Sequence, residues 1–66
     1  LHHSLSDREY EVMLLLASGK RVKQIAEELY LSVKTISTYR KRIMDKMKMK
    51  QNSDLVSYAL RHKLLT

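Results

Sequence analysis

Apolar side chains recur at three- and four-residue spacing in four stretches of this chain, the period of amphipathic helices. The first stretch opens with "LSDRE". Ser6 is a suitable N-cap, Glu9 stands three residues on to complete a capping box, and Leu5 can staple onto Tyr10. Val12, Met13, Leu16 and Ala17 then fall on one face, and Gly19 supplies a left-handed residue to end the helix. The pattern predicts a first helix over residues 7–18. A second, over residues 22–29, places Ile25, Ala26 and Leu29 on one stripe. Only Tyr30, Leu31 and Ser32 separate it from a third, over residues 33–47, for which Ser32 is the N-cap. After the polar break "KMKQN", a fourth helix over residues 52–62 carries Leu55, Val56, Ala59 and Leu60 toward the core. Its other face, Asp54, Ser57, Tyr58 and Arg61, is expected to be more exposed.

Composition agrees with an all-α chain of four helices, the middle pair joined by a tight turn. The 66 residues include no proline, one glycine and 44% hydrophobic positions, which leaves little room for anything but helices and makes one small domain near the lower limit for folding alone. Cysteine is absent, so neither a disulfide nor a thiolate metal site can staple the fold. The longest apolar run, residues 12–17, falls far short of the roughly 20 residues that span a bilayer, and no signal-peptide pattern precedes it. The chain reads as soluble, with no membrane partner. Residues 1–4 read as a linker or expression remnant, and residues 5–66 as the domain.

Charge changes the picture most. The formal net charge is +6, and residues 33–50 hold seven basic groups against one acid, whereas residues 1–32 hold four basic and five acidic groups. A solvated lysine-rich surface is the plain reading of such a run. Its position on a well-patterned helix points instead to a polyanion, nucleic acid before membrane.

Two helices joined by three residues, the second basic, outline a helix-turn-helix. Ile25, Leu29, Leu31, Ile36 and Tyr39 supply apolar contacts between the helices, and Ala26 the small residue for close approach. Tyr30 stands where many such motifs place glycine. A left-handed backbone there would carry a strain of about 1–3 kcal/mol. Projected at about 100° per residue from Ile36, Val33, Tyr39, Ile43 and Met47 form the buried stripe. Thr38, Lys41 and Lys34 lie opposite, flanked by Ser37 on one side and Arg42 and Thr35 on the other. Short hydroxyl side chains let a helix approach base edges, while lysine and arginine reach guanine acceptors or phosphates. Lys20, Arg21 and Lys23 cluster at the start of the second helix. Cations at a helix N-terminus are unfavourable alone, but an incoming phosphate reverses that sign.

With these motifs in view, the chain resembles the LuxR-type helix-turn-helix domain, the output domain of NarL/FixJ-family response regulators. The resemblance spans residues 5–65. It rests on "LSDREYEVMLLLASG" for L-[ST]-x-R-E-x-x-V-L, "QIAEELYLSVKTIS" for I-A-x-x-L-x-[ILV]-S-x-x-T-V, and "IMDKMKMK" for I-x-x-K-L. It implies sequence-specific binding of double-stranded DNA in transcription regulation, with the third helix in the major groove. By position, Ser37, Thr38 and Lys41 would contact bases, and Lys23, Lys34, Thr35 and Arg42 would contact phosphates. The fourth helix would form a homodimer on DNA, with Asp54, Ser57, Tyr58 and Arg61 as its dimer face. An N-terminal receiver domain in the intact protein and a bacterial cytoplasmic location are implied likewise. Ser37 and Tyr39 replace a common family lysine and histidine, so the target sequence does not transfer. Tyr39 is open between a core residue with its hydroxyl at the rim and a phosphate contact.

Other chemistries find little support. His2 and His3 fit a tag or linker better than a metal site, and His62 stands alone. Glu9 and Glu11 point to different faces, as do Glu27 and Glu28, so neither pair forms an acid/base dyad. Neither a catalytic residue nor a cofactor is expected. Met44, Met47 and Met49 fit core packing better than a promiscuous groove. The competing function is a module that binds acidic proteins.

Overall fold

The computed structural model describes residues 2–65. Four helices follow a short 3-10 turn at His2–Ser4: α1 at Asp7–Ala17, α2 at Val22–Leu29, α3 at Val33–Met47 and α4 at Asn52–Arg61. Among the described residues the fold is all-α. The first and last helices end one residue earlier than the pattern predicts, with Ser18 and His62 as their C-caps. Leu1, counted with the linker, and Thr66, counted with the domain, lie outside the described residues.

The starts follow from side-chain chemistry. The Ser6 N–H donates to Glu9 Oε1 at 2.9 Å and the Glu9 N–H donates to Ser6 Oγ at 3.1 Å, which is the capping box of α1. Ser32 Oγ accepts from the Thr35 N–H at 3.0 Å and so starts α3. At α2 the Arg21 N–H donates to Gln24 Oε1 at 3.0 Å. At α4 the Gln51 N–H donates to Asp54 Oδ2 at 3.2 Å.

All four helices end in one way. The residue after each last turn is left-handed, and the next N–H reaches back five residues: Lys20 to the Leu15 carbonyl (3.2 Å), Leu31 to Ala26 (2.9 Å), Met49 to Met44 (2.9 Å) and Leu64 to Ala59 (2.8 Å). These are Schellman ends. Glycine fills the left-handed position once, at Gly19 (φ 96°). Tyr30, Lys48 and Lys63 hold φ of 57°, 56° and 55° with a side chain attached. Tyr30 therefore carries the strain that its place in the turn implies.

The core joins Val12, Met13, Leu16 and Ala17 of α1 to Ile25 and Ala26 of α2, Ile36, Ile43, Met44 and Met47 of α3, and Leu55, Tyr58 and Ala59 of α4. α1 packs chiefly against α4 and α3, and α2 against α3. Leu29 and Leu31 lie half-buried against this cluster on either side of Tyr30. The outer face of α3 stays exposed.

Three expectations are corrected here. Val33, placed in the buried stripe by projection, is 50% exposed. It is the first residue of α3, and the core near this end is made by Ile36 with Leu31 packed against it. On α4, Tyr58 is 5% exposed and Leu60 is 60% exposed, the reverse of the predicted arrangement. Residues 55, 56, 59 and 60 and residues 55, 58 and 59 both fit one helical face. The second wins because Tyr58 meets the N-terminal turn. His2 Nδ1 lies 2.7 Å from the Tyr58 hydroxyl, and the Tyr58 ring stacks on His62 with centroids 4.1 Å apart. The same contacts set the His2–Ser4 turn against α4. Burial holds the His2 pKa below its ordinary value, aided by the charges of His3 and His62.

Candidate nucleic-acid interface

The outer face of α3 is built on a rigid element. Ile36, Ile43 and Met47 anchor one side of the helix in the core at 1% exposure or less, and the Ser32 cap fixes its start. On the opposite side Lys34, Ser37, Thr38, Lys41 and Arg42 are exposed, with Thr35 half-buried between them. The structure thus brings six of the seven expected DNA-contacting residues onto one helix face. Lys23, the seventh, is exposed on α2.

Lys34, Thr35, Thr38, Tyr39 and Arg42 line an open depression of about 260 Å³. Tyr39 is half-buried: its ring packs against the core and its edge borders this depression. The hydroxyls on this face are ordered by local bonds. Ser32 Oγ donates to Thr35 Oγ1 at 2.9 Å, and Thr38 Oγ1 donates to the Lys34 carbonyl at 3.1 Å. Thr38 therefore turns an accepting oxygen outward, suited to a base amino group.

Ion pairs sort the basic residues. Among the described residues, the salt bridges join Arg8 to Glu11, Lys20 to Glu28, and Lys46 to Glu9. Arg40 is engaged as well, its Nε donating to Asn52 Oδ1 at 3.0 Å. Lys34, Lys41 and Arg42 have no such partner among the described residues. Within α3 the basic residues thus divide into Arg40 and Lys46, which reach other helices, and Lys34, Lys41 and Arg42, which face outward. The second set forms an electropositive strip with hydroxyl side chains between its long cationic ones.

The family described as bacterial regulatory proteins, luxR family, matches residues 3–59. The chain belongs to the luxR family. It is a DNA-binding domain of the LuxR type. This luxR-family domain is 48% identical over 61 residues to the oxygen regulatory protein NreC of Staphylococcus carnosus, which covers 92% of the chain and 28% of that protein. NreC of Staphylococcus aureus strain JH9 matches to the same identity and coverage. Full-length FixJ from B. japonicum superimposes with a TM-score of 0.84 at 42% identity, over 97% of this chain and 32% of that one. The luxR-family domain spans less than a third of each of these proteins.

On α4, the expected dimer residues divide. Asp54, Ser57 and Arg61 are exposed and border a depression of about 410 Å³ with Met47, Lys48 and Met49. Asp54 also caps its own helix through the Lys50 and Gln51 N–H groups. Tyr58 belongs to the core. Sequence reasoning placed Leu60 inward, on one stripe with Leu55, Val56 and Ala59. It also passed over the exposed Val33, whose position directly after the Ser32 cap was the available signal.

Proposed function

We propose that this domain binds double-stranded DNA sequence-specifically as the output domain of a two-component response regulator, with α3 in the major groove. The observation that carries the reading is the outer face of α3, where Lys34, Lys41 and Arg42 stand without ion-pair partners around Ser37, Thr35 and Thr38. Ser37, Thr38 and Lys41 contact base edges. Lys34, Thr35, Arg42 and Lys23 of α2 hold the flanking phosphates, which set register but carry no sequence information. This reading involves no catalytic step.

Two copies pair on DNA through α4. Leu60 is exposed beside Ser57 and Arg61, and Val56 lies one turn before it outside the packed core. That apolar pair favours a helix-to-helix contact over a bare solvated surface. The greater length of the relatives supports an additional N-terminal receiver domain in the intact protein, and a DNA target supports a location in the bacterial cytoplasm.

The test is selection of bound sequences from a random duplex pool at two salt concentrations. Enrichment of a short motif, with log affinity falling by about 0.9 per neutralised phosphate against log salt, is the expected result. Salt-sensitive retention with no enriched motif would reject base readout by α3.

A further inference from the structure

We propose that Val33 reads the methyl group of a thymine in the major groove, in line with Ser37 and Lys41. The inference rests on the DNA-binding reading and adds a base-reading residue of a different chemical kind.

Residues 33, 37 and 41 are spaced by four, so they form one row along the surface of α3. Two members of the row are the polar base readers already named. The third is a β-branched apolar side chain that is 50% exposed at the first position of the helix. Nothing in the fold requires valine there. The core at this end is closed by Leu31 and Ile36, and the cap of α3 is made by Ser32 and the Thr35 N–H. A recognition helix directs its N-terminal residues at base edges, which puts Val33 at the end of α3 that enters the groove. The thymine C5-methyl is the one apolar group that base pairs present in the major groove, and apolar side chains recognise it by contact. Val33 therefore selects for thymine by burying methyl against methyl, with Ser37 and Lys41 supplying polar readout at neighbouring positions.

The test uses the motif recovered by selection from random duplex, with each thymine replaced in turn by deoxyuridine, which lacks only the methyl. Wild-type chain should lose about fourfold in affinity at one thymine of the motif, the effect of one buried methyl-sized group. Val33→Ala should lose a similar amount on the thymine duplex and nothing more on the deoxyuridine duplex. Neutral deoxyuridine at every position would overturn the proposal without any variant, and so would a loss of equal size in Val33→Ala. An enriched motif without thymine would overturn it while leaving DNA recognition by α3 intact. Absence of any enriched motif would overturn both.

Discussion

The Lys46 ammonium donates to the Glu9 carboxylate at 2.7 Å, tying the last turn of α3 to the first turn of α1. Glu9 is 4% exposed and also accepts from the Ser6 N–H. One buried carboxylate thus serves a helix cap and an interhelical contact, and it fixes the far end of the helix that carries the outward basic strip.

Stability should therefore depend on acid in two steps. The Lys46 hydrogen bond, followed by the Ser6 N–H, holds the Glu9 pKa below its ordinary value of 4.5. Its contribution is present above that value and is lost as pH falls through the lower folded value. The His2 pKa is lowered from 6.5. A basic group held neutral binds fewer protons when folded, so stability also falls as pH drops below about 6.5. Melts across pH should show both steps. Glu9→Gln should remove the lower one and cost about 2 kcal/mol near neutrality, the range for a charged hydrogen bond. His2→Ala should remove the upper one.

Tyr30→Gly should stabilise the domain. Tyr30 is 94% exposed with φ 57°, so glycine loses no packing and relieves a left-handed conformation worth about 1 kcal/mol. The melting temperature should rise by about 4–8 °C. Gly19→Ala is the converse. Nothing lies within 4 Å of an added Cβ, yet φ is 96°, so a loss of similar size would isolate backbone strain from crowding.

The two kinds of DNA contact should separate by salt. Lys41→Ala should weaken binding to the selected motif by about 1–3 kcal/mol and relax preference at one base position. Lys34→Ala and Arg42→Ala should weaken specific and random duplex alike and reduce the salt slope by about 1 each. Arg40→Ala, whose guanidinium is already engaged by Asn52, should leave the slope unchanged. Fluorescence anisotropy titrations at several salt concentrations would check all four variants.

On α4 the exchange of Tyr58 and Leu60 gives opposite expectations for neighbouring positions. Tyr58→Ala should cost about 3 kcal/mol or more, as for other large-to-small changes in a core. Leu60→Glu should leave the melt within about 0.5 kcal/mol, as for surface sites, and should abolish cooperative occupancy of paired half-sites. Thermal denaturation and gel-shift titration would read the two effects. Retained cooperativity in Leu60→Glu would remove this residue from the dimer contact.

Ile36→Asp should abolish the native fold. The side chain is 0% exposed, so the change leaves an unpaired charge in the core, among the most damaging single substitutions. Loss of the helical circular-dichroism signal at 25 °C is the expected reading.

Sequence alone determined the features whose causes lie within a few residues. The Ser6 and Ser32 caps, the Gly19 end, the three-residue link and the placing of four helices all arise from neighbours along the chain. The outward strip of α3 was legible for the same reason, since one helix fixes the angular order of its own side chains. Tertiary structure decided what depends on partners distant in sequence. Glu9 finds Lys46 across 37 positions, Arg40 finds Asn52 across 12, and Tyr58 finds His2 across 56. These meetings selected which basic residues remain facing outward and which of two equally good stripes on α4 turned inward. Helical periodicity defines a face, but only the packed neighbours define how wide the covered part of that face becomes. That is why Val33 and Leu60, apolar residues at the margins of their stripes, stand exposed.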